Sequence, residues 1–369
     1  MKKGASQAKA ENSVKIVHKS ILKDLALALL ISLPLLNFIL MMEKVMKFSR
    51  LLSSVGASAG ELFRLILYMQ PELMLLTLPM SFLLSVLYVY GRMNADSELV
   101  VLKASGMSFR QAAFPAFIMG VVCMLLGFFV SFHLGPAGRR DVRLSVSDTL
   151  RTRAPYAIEP GVFNTLINHT VIYAMNRRED GLYGVFIYDR RNPKRPLVIY
   201  AKQAVIKPAD EGGSALLFSL KDGLIHIVKG ARLTEIFFGD YQLVLPLALE
   251  KPGVRLEELT PGGLLALAAR QTGEPKTETM LEFYRRLTFP LFSLAIMFLA
   301  PALSLYAGKK ARLGGLALGT MVFSVYYIML INFEKLSESG RLPAFWGGWM
   351  AFFIIFAASV YVFWKVNRR

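Results

Sequence analysis

The chain has 369 residues, of which 54% are hydrophobic and 19% are charged, and its formal net charge is +17. Soluble domains usually carry about 25% charged residues, so this composition favours a membrane protein. Binding to nucleic acid is disfavoured because acidic and basic residues nearly balance within residues 135–283, while the basic excess flanks the apolar runs. The single cysteine, Cys123, lies inside an apolar run, so no internal disulfide can form.

Six stretches are apolar and long enough to cross a bilayer, which takes about 20 residues of helix. These stretches are residues 22–42, 68–90, 112–134, 284–307, 314–332 and 344–364. The prolines in or near them are Pro34, Pro71, Pro79, Pro115, Pro290 and Pro301. Spanning helices tolerate proline when neighbouring groups satisfy the freed carbonyls. The sequence therefore predicts an integral membrane α-helical protein with six transmembrane helices.

Lysine and arginine in the short loops predict the orientation. They are concentrated before the first stretch, in residues 92–110 and 309–312, and at the end of the chain. The positive-inside rule then places both termini in the cytoplasm and the long insertion on the opposite side. The first apolar run is too long for a cleavable signal peptide and has no small-residue cleavage site after it, so we expect it to remain as a span.

Residues 155–250 predict an all-β domain. Short β-branched and aromatic runs alternate with turn residues at 170–175, 183–189, 197–206, 215–220, 224–228, 233–238 and 241–245. Lys221-Asp222-Gly223 predicts a three-residue hairpin with glycine in the left-handed region. Seven strands at this spacing predict a sandwich, a jelly roll or an open barrel. Thr260-Pro261 then predicts the start of a short helix that leads back to the membrane.

Two further segments connect the first three spans. Residues 45–64 predict an interfacial or helix-extending segment between spans one and two. Residues 92–110 predict a short cytoplasmic helix, capped by Asp96, with Glu98 in its first turn and Gly106 at its end. The domain layout expected is therefore residues 1–134 with three spans, 135–283 with the β domain and return segment, and 284–369 with three spans.

The sequence contains few signs of catalysis. It has no G-x-x-x-x-G-K-[ST] loop for ATP and no G-x-S-x-G motif. The four histidines, His18, His133, His169 and His226, are far apart and form no metal-binding pattern. We therefore expect no catalytic residue, metal or cofactor in this chain.

The chain resembles the LptF/LptG (YjgP/YjgQ) permeases over essentially its whole length. The resemblance rests on LPMSFLLSVLYVYGRMNADSELVVLKASGMS at 78–108, EFYRRLTFPLFSLAIMFLAPALSL at 282–305 and GRLPAFWGGW at 340–349, within the layout of six spans around one β domain. In that family two related permeases pair to form the membrane part of an ABC transporter that exports lipopolysaccharide. The stretches FNTLINHTVIYAM, VFIYDRRNPKRPLVIYAKQAVI and FFGDYQLVLPL resemble the LptF branch more than LptG.

The resemblance implies partner chains and a non-catalytic role. The partners are the paralogous permease (LptG for an LptF), an LptB ATPase dimer that binds ATP and Mg, and LptC, in the inner membrane of a Gram-negative bacterium with the β domain in the periplasm. The ATPase docks on residues 95–106, where Glu98 pairs with an arginine of the ATPase. The coupling residues implied are Asp96, Glu98, Leu102, Ala104, Ser105 and Gly106. Neutralisation of the helix N-terminus is the alternative role of Glu98.

The implied substrate is lipopolysaccharide, whose acyl chains need apolar walls and whose phosphates need cations. The predicted contacts are Lys44, Lys47, Arg50, Arg285 and Arg286, together with Glu72 inside span two. Arg286 is the first choice because the family keeps a basic residue in this R-L-x-x-P context. Ordinary placement of lysine and arginine at helix ends is the alternative, and an interfacial role is the alternative for Glu72.

The β domain resembles the jellyroll modules of the exporter, so an open sheet edge is expected to accept a strand from LptC. Ile172, Phe186, Ile199, Phe218 and Phe237 either line a groove for acyl chains or form an ordinary β core. Two other functions stay open at this point. One is a membrane-embedded lipid or glycan transferase, which needs acidic or histidine clusters at the membrane face. The other is a scaffold that binds partners without transport.

Overall fold

The computed structural model describes residues 2–53, 58–153, 158, 160–167, 169–178, 180–192, 196–209, 215–229, 232–246, 255–306 and 311–368. Within these ranges the side chains of some segments, among them 2–13, 47–53, 147–153 and 311–316, lie outside the description. The chain divides into two compact units. The helical unit comprises Met1–Glu43, Tyr68–Arg140 and Val254–Arg369, and the β unit comprises Lys44–Leu67 and Asp141–Gly253.

The prediction of six membrane-spanning helices is confirmed, since six helices in the described part of the chain are apolar and long enough to span. They belong to α1 (Lys2–Ser53), α2 (Ala59–Ala95), α4 (Phe109–Phe129), α7 (Glu274–Tyr306), α8 (Ala311–Glu338) and α9 (Ala344–Asn367). The six prolines named above lie inside α1, α2, α4 and α7. α4 continues through one π-helical turn, Val130–Leu134, into α5 (Gly135–Arg153).

The connections follow the sequence signals closely. Helices α1 and α2 extend well into residues 45–64, so this segment lengthens spans one and two, as one of the two interpretations expected. The predicted return helix is confirmed as α6 (Pro261–Ala268), whose N-cap Thr260 accepts a hydrogen bond from the backbone N–H of Gly263. A short helix, α3 (Glu98–Ala104), separates α2 from α4. α4 begins with a capping box between Ser108 and Gln111.

The core of the helical unit lies where α2, α4, α7 and α8 meet. Phe82, Tyr90 and Phe292 are fully buried there. The ring of Phe292 stacks on that of Tyr326 with 3.9 Å between centroids. By contrast, only 11% of the most apolar window of the first span is buried. That span therefore presents most of its apolar side chains to lipid or to another protein.

Within its described residues the β unit contains one antiparallel sheet of six strands, which confirms the predicted β domain. The strands are β1 (Asn164–Ile167), β2 (Thr170–Arg178), β3 (Gly181–Asp189), β4 (Leu197–Pro208), β5 (Ala215–Lys229) and β6 (Arg232–Pro246). They are hydrogen-bonded in chain order, each to the next. Alternate residues of these strands, such as Ile172, Ile187 and Ile199, form a buried core on one face.

The prediction of a hairpin at Lys221-Asp222-Gly223 is wrong, because β5 runs unbroken through these residues. Both neighbouring strands pair with it on either side of the predicted turn: Leu220 pairs with Ala204 and Tyr241, and Gly223 pairs with Ala201 and Phe238. A hairpin would lose these pairings. The left-handed residue is Asp222, with φ +48°, and not the glycine. The expected strands 233–238 and 241–245 likewise form one strand, β6.

One line of opposed residues across the sheet is absent from the register pairs. These residues are Met175, Gly184, Lys202, Asp222 and Gly239. The register is the same on both sides of this line, so neither strand of a pair has an extra residue there and the strands continue without a turn. We define this row of residues as the pairing gap.

Replacing Gly223 with alanine is expected to loosen β5 and β6. An added Cβ would lie 2.3 Å from Cζ of Phe238 and 2.3 Å from the carbonyl oxygen of Tyr200, and the latter is backbone. We expect a loss of about 2 kcal/mol, which is about 30-fold faster amide exchange across 215–245, measured by hydrogen–deuterium exchange of the full chain. Gly239→Ala is the matched control, since no atom lies within 4 Å of its added Cβ. Equal exchange in the two variants would contradict this account.

Candidate functional site

The start of α3 is a sharp turn that follows directly on α2. The backbone N–H of Asp96 still donates to the carbonyl of Arg92 (2.9 Å), and that of Ser97 donates to Asn94 (3.2 Å). Ser97 occupies the N-cap position with φ +60° and makes no side-chain cap hydrogen bond. The expectation that Asp96 caps the helix is therefore wrong, because Ser97 is the N-cap residue and Asp96 directly follows α2, to which its N–H still bonds. Glu98 lies in the first turn of α3, as predicted.

The end of α3 is fixed by Gly106, as the sequence predicted. Gly106 has φ +90°, a conformation that side-chain-bearing residues rarely adopt. Its N–H donates to the carbonyl of Lys103 (3.0 Å), and the N–H of Met107 donates to that of Leu102 (3.1 Å). This pair of bonds is the Schellman motif, which satisfies the last carbonyls of a helix.

The two sides of α3 differ in exposure. Leu99 is buried, and Leu102 packs partly against the core of the helical unit. Glu98 is exposed, and so are the apolar Val100 (60%) and Val101 (66%). Of the predicted coupling residues, Leu102 is half-buried, while Asp96, Glu98, Ala104, Ser105 and Gly106 are exposed. The helix is therefore anchored on one side and presents an acidic and apolar surface on the other.

The end of α2 that carries α3 is tied to three other helices. Arg92 pairs with Asp24 of α1 at 2.5 Å. The hydroxyl of Tyr90 donates to the carbonyl of Ala112 in α4 at 2.8 Å. The amide of Asn94 donates to the carbonyl of Ser304 in α7 at 3.3 Å. Because these bonds leave α2 toward different neighbours, this end of α2 is fixed to α1, α4 and α7 together.

At the other end of the helical unit, six charged residues form a connected group, which we call the arginine–glutamate network. Its members are Glu72, Arg139, Glu282, Arg285, Arg286 and Glu334. They line a cavity of about 270 Å³. Buried charges need partners because transfer out of water disfavours the charged form. Glu282, Arg286 and Glu334 are each less than one-tenth exposed.

Glu282 lies at the centre of this network. Its carboxylate is 2.9 Å from Nε of Arg286, 3.4 Å from Nη1 of Arg139 and 3.6 Å from Nη1 of Arg285. Arg285 also donates two hydrogen bonds to Glu334 of α8, at 2.9 and 2.6 Å. Glu72 joins at the edge, 3.7 Å from Nε of Arg139. α2, α5, α7 and α8 are therefore joined by one set of ion pairs.

Arg286 has further partners in the segment that follows the β strands in the chain. Its guanidinium donates to the carbonyls of Leu256 (3.0 Å), Glu257 (2.9 Å) and Leu259. With the bond to Glu282, four of its five N–H donors are occupied. Most of the hydrogen-bonding capacity of Arg286 is therefore used within the protein. Direct contact of Arg286 with phosphate stays a prediction.

The structure brings together only part of the predicted substrate-contact set. Glu72, Arg285 and Arg286 meet in the arginine–glutamate network. Lys44, Lys47 and Arg50 lie in the last turns of α1, within the β unit. The side chain of Lys44 is half-buried, and those of Lys47 and Arg50 lie outside the described residues.

Sequence reasoning missed Arg139, Glu282 and Glu334. Glu282 and Arg286 are four residues apart, a spacing that places them on one helix face, and this signal was present in the sequence. Glu334 lies near the end of span five, where an ionisable group is a functional candidate. No local pattern pairs Arg139 or Glu334 with α7, because these contacts depend on how the helices pack.

The β unit carries an exposed aromatic row on the face opposite its core. Tyr173, Phe186, Tyr200, Leu224 and Phe237 are successive register partners across β2 to β6. Phe163 extends the row, since its ring lies 5.1 Å from that of Tyr173. The row and the pairing gap bound a groove of about 1060 Å³. We call this surface the aromatic groove.

The aromatic groove contains two of the five apolar residues expected to line such a surface. Phe186 is half-buried, and Phe237 is 77% exposed. Ile172, Ile199 and Phe218 belong to the buried core on the other face, which is the second of the two alternatives given for them. Ile199 and Tyr200 are adjacent on β4, so their side chains lie on opposite faces of the sheet. Contiguous exposed apolar surface of this kind marks a binding site for a lipid or a protein.

Comparisons with known proteins agree with this architecture. A sequence profile of the family described as "Lipopolysaccharide export system permease LptF/LptG" matches residues 19–365. The chain is 22% identical to the lipopolysaccharide export system permease protein LptF of Escherichia coli (strain K12) over 288 residues, 75% of each chain. It is 22% identical to an uncharacterised protein of Rickettsia prowazekii over 299 residues, 76% of this chain and 81% of that protein. Because the profile spans nearly the whole chain, this protein belongs to the LptF/LptG family of lipopolysaccharide export permeases.

Proposed function

We propose that this chain is a membrane subunit of an ABC transporter that extracts lipopolysaccharide from the inner membrane of a Gram-negative bacterium. A separate cytoplasmic ATPase binds ATP and Mg and supplies the energy, while this chain does no covalent chemistry. The observation that carries the proposal is α3, an anchored helix with an exposed acidic and apolar surface. A membrane protein needs such an element to receive force from a soluble ATPase.

The coupling step is a push on α3. Docking into a groove of the ATPase buries the exposed side chains of Val100 and Val101, and Glu98 pairs with an arginine of the ATPase. Closure of the ATPase dimer then moves α3 and the attached end of α2 together. The hydrogen bonds and the ion pair at Tyr90, Arg92 and Asn94 support this rigid movement.

The substrate path needs a second permease. The first span leaves most of its apolar surface uncovered, which suits a helix that faces lipid and a paralogous chain. We infer that lipopolysaccharide enters laterally between span one of this chain and span five of that partner. The acyl chains then pass to the aromatic groove and on to LptC, whose jellyroll continues the periplasmic bridge. Strand addition at β6, the last strand in the sheet order of the described residues, is the expected mode of contact.

We place the chain in the LptF branch, which makes LptG its paralogous partner and an LptB dimer its ATPase. The β-domain stretches quoted above favour this branch, and the Escherichia coli relative is an LptF protein. The positive-inside distribution supports cytoplasmic termini and a periplasmic β unit.

Purification of the tagged chain in mild detergent tests the proposal. We expect a P-loop ATPase and a second six-span permease to co-purify, and the identity of that permease decides between LptF and LptG. A chain that purifies alone from its native membrane would overturn the proposed assembly. Transfer of a radiolabelled lipid or sugar by the chain alone would instead establish the transferase function.

A further inference from the structure

The segment that returns from the β strands to the membrane is bound by a single buried arginine. We propose that Arg286 is a positioning residue, which clamps residues 256–259 and ties them, through Glu282 and Arg285, to Glu334 of α8. The importance of this link for transport rests on the proposed function. The link itself is a physical property of the chain and can be tested without transport.

The clamp is built from three backbone carbonyls within four residues. Leu256, Glu257 and Leu259 all accept hydrogen bonds from the guanidinium of Arg286. A planar guanidinium with five fixed donors suits this arrangement, whereas an ammonium group on a lysine cannot reach all three acceptors in one geometry. Loss of Arg286 would leave these carbonyls without their charged donor. The conformation of the segment therefore depends on this side chain.

The connection to α8 consists of two further ion pairs. Glu282 accepts from Arg286 at 2.9 Å and lies 3.6 Å from Arg285, and Arg285 pairs with Glu334 at 2.6 Å. Glu282 and Glu334 are buried, so water screens these interactions weakly. A shift of α8 that moves Glu334 therefore changes the charges around Glu282 and Arg286.

A side chain of the third span binds the backbone of Arg286. The hydroxyl of Ser131, within the π-helical turn of Val130–Leu134, donates to the carbonyl of Arg286 at 3.0 Å. Turns of this kind depart from the regular α-helical ladder and occur often at functional positions. α7 is therefore held at Arg286 from both its side chain and its backbone. The side chain of Arg286 can position a neighbouring segment only if its own backbone is held in place.

Hydrogen–deuterium exchange of the full chain in phosphatidylcholine nanodiscs, free of lipopolysaccharide, tests the proposal. The probes are the amides of Glu258 and Leu259, which donate to Arg255 (3.0 Å) and Leu256 (3.3 Å). We expect Arg286→Lys to speed their exchange at least tenfold. Glu334→Gln, whose side chain touches only Arg285 in this network, is expected to speed it at least threefold. Glu338→Gln, one turn later on α8 and exposed, is the matched control with no expected change.

Each outcome decides one part of the proposal. Unchanged exchange in Arg286→Lys overturns the clamp. The same result is expected if Arg286 acts only when lipopolysaccharide is bound, so that alternative also counts against the clamp. Equal exchange in Glu334→Gln and Glu338→Gln overturns the link to α8. Should Arg286→Lys fail to fold, Glu282→Gln removes the negative charge beside Nε of Arg286 and is expected to speed exchange of the same amides. None of these results requires an ATPase, so a negative result leaves the proposed transport function standing.

Discussion

Replacing Glu98 with lysine is expected to abolish stimulation of the ATPase by the permease. Glu98 is exposed in the first turn of α3, so the change leaves the helix folded but opposes a cationic partner with a second cation. Loss of a charge pair in an interface costs about 3 kcal/mol, which corresponds to about two orders of magnitude in affinity. The measurement is co-purification of the ATPase together with the rate of ATP hydrolysis by the assembled complex.

Two further charge changes test whether the effect of Glu98→Lys is specific to pairing of Glu98 with an arginine of the ATPase. Glu98→Gln removes only the attraction and is expected to lie between the wild type and Glu98→Lys. An arginine-to-glutamate change on the ATPase is expected to restore binding to Glu98→Lys and to weaken binding to the wild type. Full docking and normal ATP hydrolysis in the Glu98→Lys variant would show that Glu98 only stabilises its own helix.

Placing aspartate at Phe237 is expected to block the path of acyl chains across the aromatic groove. Phe237 ends the row of register partners on β6 and is 77% exposed, so the change does not disturb the buried core. A carboxylate in the groove must lose water when an acyl chain covers it, which is unfavourable. We expect at least a tenfold loss of lipopolysaccharide adduct formed by a photoreactive amino acid at Tyr200 in the complete exporter.

The control for this variant lies on the same strand. Gln242→Asp introduces the same charge at an exposed position of β6 outside the residues that line the groove. Its adduct yield is expected to match that of the parent carrying the photoreactive group. Equal yields from Phe237→Asp and Gln242→Asp would exclude the aromatic groove from the lipid path.

Much of the architecture was predictable because it depends on local patterns. A run of about 20 apolar residues has few alternatives to a spanning helix, since every backbone group must find a partner inside the bilayer. The return helix at Thr260 and the end of α3 at Gly106 follow from short capping signals. These signals act within one or two turns of the chain, so a single sequence contains them in full.

Residues that are compatible with two local structures led to wrong predictions. Asp222-Gly223 and Gly239-Asp240 favour a turn, but the same residues can also lie within a long strand. Pairing of β5 with strands on both sides keeps it extended through Asp222-Gly223. Asp96 has a side chain suited to capping, but its N–H bonds to Arg92, so it directly follows α2 and Ser97 becomes the N-cap residue of α3.

By itself the sequence determined the six spans, the inserted β domain, the short helix α3 and the family to which the chain belongs. Only the tertiary structure decided which charged side chains meet. Glu72, Arg139, Glu282 and Glu334 lie on four helices, and their pairing depends on helix packing over long sequence distances. The same holds for the aromatic groove, because strand register decides which residues become neighbours across a sheet.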